Sequence, residues 1–155
     1  MKEKLYTIPV NEAFHADSEC PLCLMKKVLE DNAIEFTMGP SYMEDDVRGE
    51  TDKIGFCSDH IQKLYKTQNR LGLALILKTH MDKTIKDIEN LTASGKKISS
   101  PSFFSKKTQV SGVKAYIKHL DNSCYVCNRI NDTFLRYIDT IFALYENNDE
   151  FQTVF

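Results

Sequence analysis

Two pairs of cysteines in this chain have the same spacing, with two residues between the members of each pair: Cys20–Cys23 and Cys124–Cys127. The fifth cysteine, Cys57, stands three residues before His60. Such CxxC and CxxH pairs deliver two metal ligands from one tight turn, and thiolate and imidazole are common donors of structural zinc sites. Cysteines that serve only as small core residues would not be expected to cluster in this way.

The first CxxC pair and the CxxH pair together predict one metal site. The 33 residues between the two pairs have room for a helix, a short helix and a turn, so that each pair would come at the start of a helix. The predicted ligands, with zinc as the default metal, are Cys20, Cys23, Cys57 and His60. Because four protein ligands leave no open position for water or substrate, we expect the ion to stabilise the fold and not to catalyse a reaction.

Two other interpretations of these residues stay open. Cys20 and Cys23 could cycle between a dithiol and a disulfide, since the start of a helix favours the thiolate form. The βαβ pattern that accompanies this motif in thioredoxin-like domains is absent from the sequence. Alternatively, the cysteines are small buried apolar residues and His60 lies on an ordinary helix surface.

The second CxxC pair has no CxxH partner downstream. The offset of 37 residues between Cys20 and Cys57 would lead from Cys124 to position 161, beyond Phe155. One interpretation is therefore that the chain is a fragment whose second CxxH element lies further on. In the other, the pair recruits ligands from within the chain or stays free and reduced. The candidate second metal site consists of Cys124, Cys127 and His119, with His80 as the next ligand.

Composition restricts the class of protein. The 155 residues correspond to about one ordinary domain, and 42% of them are hydrophobic, which is enough for a core. The formal net charge of −2 lacks the basic excess of nucleic-acid-binding proteins, so no nucleic-acid partner is expected. No apolar run approaches the ~20 residues that span a bilayer, and the N-terminus shows no signal-peptide pattern. We therefore expect a cytoplasmic protein with no membrane partner, whose odd number of cysteines argues against a disulfide framework.

Hydrophobic periodicity predicts an all-α fold, a helical bundle of four to six helices with zinc knuckles at helix starts and no significant sheet. The predicted helices are Pro21–Met38, a short acidic helix after Ser41–Glu44, Ser58–Leu91 with a weak point at Thr67–Arg70, Val113–Leu120 and an amphipathic helix that begins near Cys127. The corresponding division is a zinc-stapled helical unit at 1–92, a mobile connector at 93–112 and the start of a second CxxC helical unit at 113–155. Within the connector, Phe103 and Phe104 are expected to contact the core.

A cluster of polar residues predicts a separate ligand site. Glu44 and Asp45 start the acidic helix beside Tyr42, and Arg70 lies at the weak point of the long helix. Carboxylates at a helix start usually complement the helix dipole on a solvated face. They could instead bind a hard cation or act as acid and base. The candidate ligand-binding residues are thus Tyr42, Glu44, Asp45 and Arg70.

Several segments together resemble a known family. They are Tyr6–Asn11, Cys20–Cys23, Gly39–Arg48 with the motif GPSYMEDD, Gly55–His60 with the motif GFCSDH, and Asn69–Ala74 with the motif NRLGLA. Their combination is similar to an uncharacterised bacterial family, the domain of unknown function with the number six-oh-six-two, over nearly the whole chain. Members of that family are longer and carry a second GFCxxH-like element, so the resemblance implies that this chain is their N-terminal two-thirds. It implies no activity.

The sequence leads to three hypotheses of function. The first is a zinc-binding helical protein that serves as an interaction or scaffold module without catalysis of its own. The second is a thiol-based redox or metal sensor, in which release of the metal exposes reactive cysteines. The third is a small-ligand-binding protein or enzyme that uses the acidic helix at 42–48. An unidentified protein partner and a homodimer held by the second CxxC pair are both compatible with the sequence.

Overall fold

A computed structural model of the chain describes residues 5–93 and 109–155. Within these residues the structure contains α-helices and one short 3₁₀ helix, Pro40–Met43, and no β-strand. The helices are α1 (Thr7–His15), α2 (Pro21–Met38), α3 (Asp45–Ile54), α4 (Ser58–Lys66), α5 (Arg70–Ala93), α6 (Gln109–Asp121), α7 (Tyr125–Asn147) and α8 (Asp149–Val154). The predicted all-α fold is confirmed, and the eight α-helices of the described part exceed the four to six predicted from periodicity. None of these described helices combines the length with the apolar composition that crossing a bilayer requires.

The helices agree with the sequence patterns to different degrees. The predicted first helix and α2 have the same bounds. The predicted helix Ser58–Leu91 is two helices, because the chain breaks at the predicted weak point. Helix α6 begins at Gln109, inside the segment predicted as a connector, whereas Phe103 and Phe104 lie outside the described residues. Periodicity does not predict α1 or α8, since helices of 9 and 6 residues are too short to repeat an apolar pattern.

The side chain of Asn69 explains where α5 begins. Its carbonyl oxygen accepts the backbone N–H of Gly72 at 2.9 Å, so Asn69 caps the N-terminus of α5. Its amide group donates to the carbonyl oxygen of Met38, at the end of α2, also at 2.9 Å. A Cβ atom at position 72 would lie 2.6 Å from Asn69 Nδ2, so glycine leaves the room that the cap needs. The Asn69–Ala74 motif is therefore accounted for by a helix boundary.

The described residues divide into two compact units. The central unit consists of residues within Phe36–Tyr125, and the terminal unit combines those up to Glu35 with Val126–Phe155. The division at residues 92 and 113 that composition suggests stays a prediction, since most of its connector lies outside the described residues. In the terminal unit the N-terminal segment packs with the C-terminal helices, and such pairing of distant segments leaves no mark in local periodicity.

The core of the terminal unit is formed by apolar side chains of α1, α2, α7 and α8. Its buried members are Val10, Ala13, Met25, Leu29, Ala33, Val126, Ile130, Tyr137, Ile141 and Phe151. At one end of this core the ring of Phe14 lies with its centroid 4.9 Å from that of Phe151 and 5.7 Å from that of Phe155. Because such aromatic contacts add to simple area burial, they hold the short helix α8 against α1.

In the central unit, α3 packs against α5 through both apolar and polar contacts. The buried apolar and hydroxyl side chains at this contact are Val47, Thr51, Leu73 and Ile76. Beside them, Thr79 Oγ1 lies 2.5 Å from Asp52 Oδ1, to which it donates, and accepts from Arg48 Nη2 at 3.2 Å. The polar groups at this helix contact are therefore paired with each other.

Helix α6 is held against α5 by one carboxylate with two donors. Asp87 Oδ2 accepts the Lys83 ammonium at 2.8 Å and the Tyr116 hydroxyl at 3.0 Å. The bond from Lys83, followed by that from Tyr116, lowers the pKa of Asp87 below its ordinary value. Burial, followed by the bond to Asp87, raises the pKa of Tyr116. The ionised form of Asp87 is therefore the form that joins the two helices.

Replacing Asp87 by Asn should reduce thermal stability at neutral pH by about 1–2 °C, since the ion pair is partly solvated. A depressed folded-state pKa gives stability that is present above the ordinary value of 3.8 and is lost as the pH falls through the folded-state value. The difference between the melting temperatures of parent and variant should therefore shrink as the pH falls below 3.8. The control is Asp82→Asn, which removes an exposed ion pair with Lys78 on the same helix. A melting difference that does not shrink as the pH is lowered below 3.8 would contradict this account.

Candidate metal centre

Four donor side chains meet at one point of the structure: Cys57, His60, Cys124 and Cys127. Their ligand atoms all lie within 4.8 Å of one another. The closest contacts are made by His60, whose Nδ1 is 3.1 Å from the sulfur of Cys57 and 3.3 Å from that of Cys124. The Nδ1 atom therefore faces both sulfurs and is the imidazole atom that a metal ion here would bind.

The start of α4 supplies two of the donors. Cys57 is the residue that precedes the first turn, with the extended backbone of an N-terminal cap, and its carbonyl oxygen accepts the N–H of Ile61 at 3.0 Å. His60 is the third residue of the helix and is buried. A spacing of three residues places both side chains on the same side of a helix start.

The start of α7 supplies the other two donors. Cys124 immediately precedes this helix and is buried, and Cys127 is its third residue and half-buried. The division between the units falls inside this first turn, between Tyr125 and Val126. Because Cys124 and Cys127 are one helical turn apart on continuous backbone, local geometry carries both of them to the same place.

The two donor-bearing loops are joined directly by hydrogen bonds. Ser123 Oγ donates to the carbonyl oxygen of Ile54 at 2.6 Å, and the N–H of Tyr125 donates to the carbonyl oxygen of Gly55 at 2.9 Å. The ring of Tyr125 also meets that of Phe56 edge-on, with centroids 6.1 Å apart. Residues on both sides of Cys124 are thus fixed to the turn that leads into Cys57, and this places the second CxxC pair beside the CxxH pair.

Gly55 gives this turn its shape. Its φ of +67° lies in the left-handed region, which costs energy for residues that carry a Cβ atom. A Cβ atom here would also lie 2.6 Å from His80 Nε2. The ring of His80 is held in place because its Nδ1 donates to the carbonyl oxygen of Asp52 at 2.9 Å. Position 55 therefore requires glycine for both conformation and space.

The geometry of the cluster fits a tetrahedral metal ion. Ligand atoms around zinc would be separated by roughly 3.6–3.8 Å, as follows from Zn–S and Zn–N bonds of about 2.3 and 2.0–2.1 Å. The observed distances from 3.1 Å to the upper limit of 4.8 Å bracket these separations. Both helix starts also present backbone N–H groups, whose positive potential favours thiolates. The Cys57, His60, Cys124 and Cys127 group could therefore hold a metal ion.

The first CxxC pair has a different arrangement. Cys20 and Cys23 are joined by a disulfide bond at the start of α2. The backbone N–H of Cys23 also donates to the sulfur of Cys20 at 3.1 Å. The structure thus brings together Cys57 and His60 of the predicted site, but with the second CxxC pair in the position predicted for the first.

The other histidines considered as ligands lie elsewhere. His119 is exposed near the end of α6, and His80 packs against Gly55. The second CxxC pair has its two further donors in Cys57 and His60. That the chain is a fragment whose second CxxH element lies beyond Phe155 stays a prediction.

The residues predicted to bind a small ligand occupy separate elements. Tyr42 is half-buried in the 3₁₀ helix, while Glu44 and Asp45 are exposed at the start of α3. Arg70 is the first residue of α5, and its guanidinium lies 5.3 Å from the ring centroid of Tyr65. Stacking on an aromatic ring accounts for Arg70 without a ligand. A ligand site made of these four residues stays a prediction.

A sequence model of the family of unknown function DUF6062 matches residues 1–155. The chain belongs to this family. The resemblance drawn from the GPSYMEDD, GFCSDH and NRLGLA segments is confirmed by this match. No curated protein and no solved structure matches the chain. Because membership of DUF6062 carries no known activity, function has to be argued from the cysteine and histidine cluster.

Replacing Gly55 by Ala should destabilise the chain by about 2–4 kcal/mol, from the left-handed backbone conformation together with the contact with His80. Denaturant unfolding of parent and variant measures this difference. A metal assay should show weaker binding in the variant as well, because the turn that precedes Cys57 is displaced.

Gly49→Ala is the matched control for this substitution. Gly49 lies within α3, and a Cβ atom there meets nothing within 4 Å. Since alanine has the higher helix propensity, this variant should be equal to the parent or more stable by up to about 1 kcal/mol. A loss of stability in Gly49→Ala as large as that in Gly55→Ala would show that the effect is not specific to the turn.

Proposed function

We propose that Cys57, His60, Cys124 and Cys127 bind one zinc ion that stabilises the helical fold. The observation that carries this proposal is the convergence of four donor atoms from two helix starts within 4.8 Å. The set contains three cysteines and one histidine, which is the kind of donor set that zinc takes in structural sites. Calcium and magnesium are disfavoured, because both prefer oxygen ligands and the set has none.

A closed set of four protein ligands supports a structural and not a catalytic role. A catalytic zinc keeps a position open for water or substrate, whereas this cluster offers the four protein ligands that a structural zinc takes. Two of them, His60 and Cys124, are buried, with 5% and 4% of their surface exposed. Zinc with three thiolates has a net charge of about −1, which the N-terminal ends of α4 and α7 would stabilise.

The ion would stabilise the fold because its ligands are far apart in the sequence. The donors His60 and Cys124 are separated by 63 intervening residues, so the ion would close a long loop. Ordering such a loop is costly for a free chain, and a ligand that binds only the folded state adds its binding energy to folding. We therefore assign the ion the role of a clamp between two segments that are far apart in sequence.

At the level of the whole protein, we propose an interaction or scaffold module. Met81 and Ile85 are exposed by 59% and 56% and lie one turn apart on α5. Exposed apolar side chains on one helix face support a protein partner, either another protein or a second copy of this chain. The net charge of −2 gives no support for nucleic acid. The cytoplasmic location expected from the sequence is part of this proposal.

The second candidate function is a metal or redox sensor. Cys57 and Cys127 are only half-buried, so oxidants can reach two of the four donors. A sensor would react with a thiol reagent in the metal-loaded state and release its ion, whereas a structural site would resist. The rate of thiol modification in the zinc-loaded protein therefore separates the two candidates.

Elemental analysis should find about one zinc ion per chain in protein purified under reducing conditions. Cys124→Ser and His60→Ala should each lose the ion, because each removes a donor of the cluster. Cys20→Ser and Cys23→Ser are the matched controls and should keep it. Zinc that is retained in Cys124→Ser and lost in Cys20→Ser would overturn the proposal in favour of the site predicted from the first CxxC pair.

Removing the ion with a chelator should lower the melting temperature of the parent by about 5–10 °C. This magnitude corresponds to a ligand present at about 100 times its dissociation constant, or roughly 2.7 kcal/mol, in a chain of this size. The Cys124→Ser variant should melt at the same temperature with and without chelator. A parent protein whose melting temperature does not respond to the chelator would contradict a structural role.

A further inference from the structure

We infer that Cys20 and Cys23 form a redox-active disulfide that exchanges with cysteine thiols in apolar peptide segments. The inference is independent of the proposed zinc site, because these two cysteines are bonded to each other and are not members of the donor cluster. It depends on three observations in the terminal unit: the position of the disulfide, the surroundings of its two sulfurs and an apolar cavity beside it.

The position of this disulfide makes it a poor structural cross-link. The two cysteines are separated by three positions in sequence, at the start of α2. A disulfide stabilises mainly by closing a loop in the unfolded chain, and the effect falls as the loop becomes shorter. The helix already holds residues one turn apart next to each other. A role in stability therefore does not explain this pair.

The two sulfurs have different surroundings. Cys23 is exposed, whereas Cys20 is half-buried. The backbone N–H of Cys23 donates to the sulfur of Cys20 at 3.1 Å, and the start of α2 adds the positive end of the helix dipole. An incoming thiolate can therefore reach Cys23, while Cys20 is the sulfur whose negative charge the structure stabilises when the bond breaks.

An apolar cavity of about 510 Å³ opens beside the disulfide. One wall is made by Cys20, Pro21 and Leu22, and the opposite wall by Ile138, Ile141 and Phe142 of α7. Leu22 and Phe142 are 40% and 63% exposed, although both side chains are apolar. The volume is within the range of ligand-binding cavities, which is about 300–1,000 Å³. Cys23 is not among the lining residues, so the cavity would hold the residues beside the substrate cysteine while its thiol attacks Cys23 from the exposed side.

The chemistry of the cavity selects a substrate class. Glu19 is the one charged residue among those that line it. A small thiol that carries carboxylates would be repelled by Glu19 and would gain little from the apolar walls. A peptide with leucine or phenylalanine beside its cysteines would bury apolar surface next to Cys20. We therefore assign a dithiol within an apolar peptide segment as the substrate of this disulfide.

The reaction is a thiol–disulfide exchange in two steps. A peptide thiolate attacks the sulfur of Cys23, the Cys20–Cys23 bond breaks, and Cys20 leaves as a thiolate with the bonding electrons. The second peptide thiolate then attacks the peptide sulfur of the mixed disulfide, and Cys23 leaves as a thiolate. The peptide is oxidised to a disulfide by two electrons, the protein pair is reduced to a dithiol, and the two protons of the peptide thiols pass through solvent to the two cysteines.

The test uses the oxidised full-length chain and two synthetic dithiol peptides with the same cysteine spacing. One peptide has leucine and phenylalanine beside its cysteines, and the other has glutamate. Reduction of the Cys20–Cys23 bond is followed by acid quench, alkylation and peptide mapping. We expect the apolar peptide to react about tenfold faster than the acidic peptide. Equal rates would overturn the assigned substrate class, and a disulfide that neither peptide reduces would overturn the redox site itself.

Two variants tie the expected difference to the cavity. Phe142→Ser should remove most of the preference for the apolar peptide, because Phe142 lines the cavity. Leu135→Ser is the matched control, since Leu135 is equally exposed, at 64%, on the same helix but does not line the cavity. A preference that survives Phe142→Ser, or is lost in Leu135→Ser, would overturn the docking site.

A third variant identifies the attacked sulfur. In reduced Cys20→Ser, reaction with a single-cysteine form of the apolar peptide, supplied as a mixed disulfide with a small leaving thiol, should leave a peptide disulfide on Cys23 that persists, because neither Cys20 nor a second peptide thiol is present to resolve it. The half-buried thiol of reduced Cys23→Ser should trap the peptide several-fold more slowly. Equal trapping by the two variants would contradict the assignment of Cys23 as the attacked sulfur. Zinc content, measured in parallel, reports on the metal centre separately.

Discussion

The arrangement of the candidate metal centre depends on two hydrogen bonds, from Ser123 to Ile54 and from Tyr125 to Gly55. They connect residues about 70 positions apart and lie on both sides of Cys124. Net hydrogen-bond energies are only about 1 kcal/mol each, but unpaired buried groups would cost more, so the register of the two loops is well defined. Once this register is set, the starts of α4 and α7 direct their donors to one point without further contacts.

This dependence also shows what sequence could and could not predict. The all-α class, the bounds of α2 and the break near Thr67 follow from local signals: periodicity, a proline at a helix start and a polar segment within an apolar pattern. The type of donor set, three cysteines and one histidine, also follows from residue types and spacing. Each of these features depends on residues that are close together in the sequence, so local sequence patterns are enough to predict it.

The choice between the two CxxC pairs is different, because both have the same spacing before a helix. Nothing in their own residues distinguishes Cys20–Cys23 from Cys124–Cys127 as partners of Cys57 and His60. Ser123 and Tyr125 place the second CxxC pair beside Cys57 and His60, because they form hydrogen bonds to the turn at Gly55. These hydrogen bonds are contacts between distant segments of the chain. For the same reason the terminal unit was beyond prediction, since it combines the two ends of the chain. At position 55 the sequence shows only a glycine before an aromatic residue, and this pattern does not specify a left-handed backbone conformation.

The separation of the donors along the chain has a consequence for biosynthesis. A ribosome makes Cys57 and His60 more than 60 residues before Cys124 and Cys127. During that interval the nascent chain has half of the donor set, and two ligands hold zinc far more weakly than four. Under the proposed function, the central segment therefore emerges and begins to form helices without its ion. On the same proposal, metal capture is a late event, coupled to the arrival of α7, and a chain that stalls before residue 124 would be unable to bind the metal ion at this site.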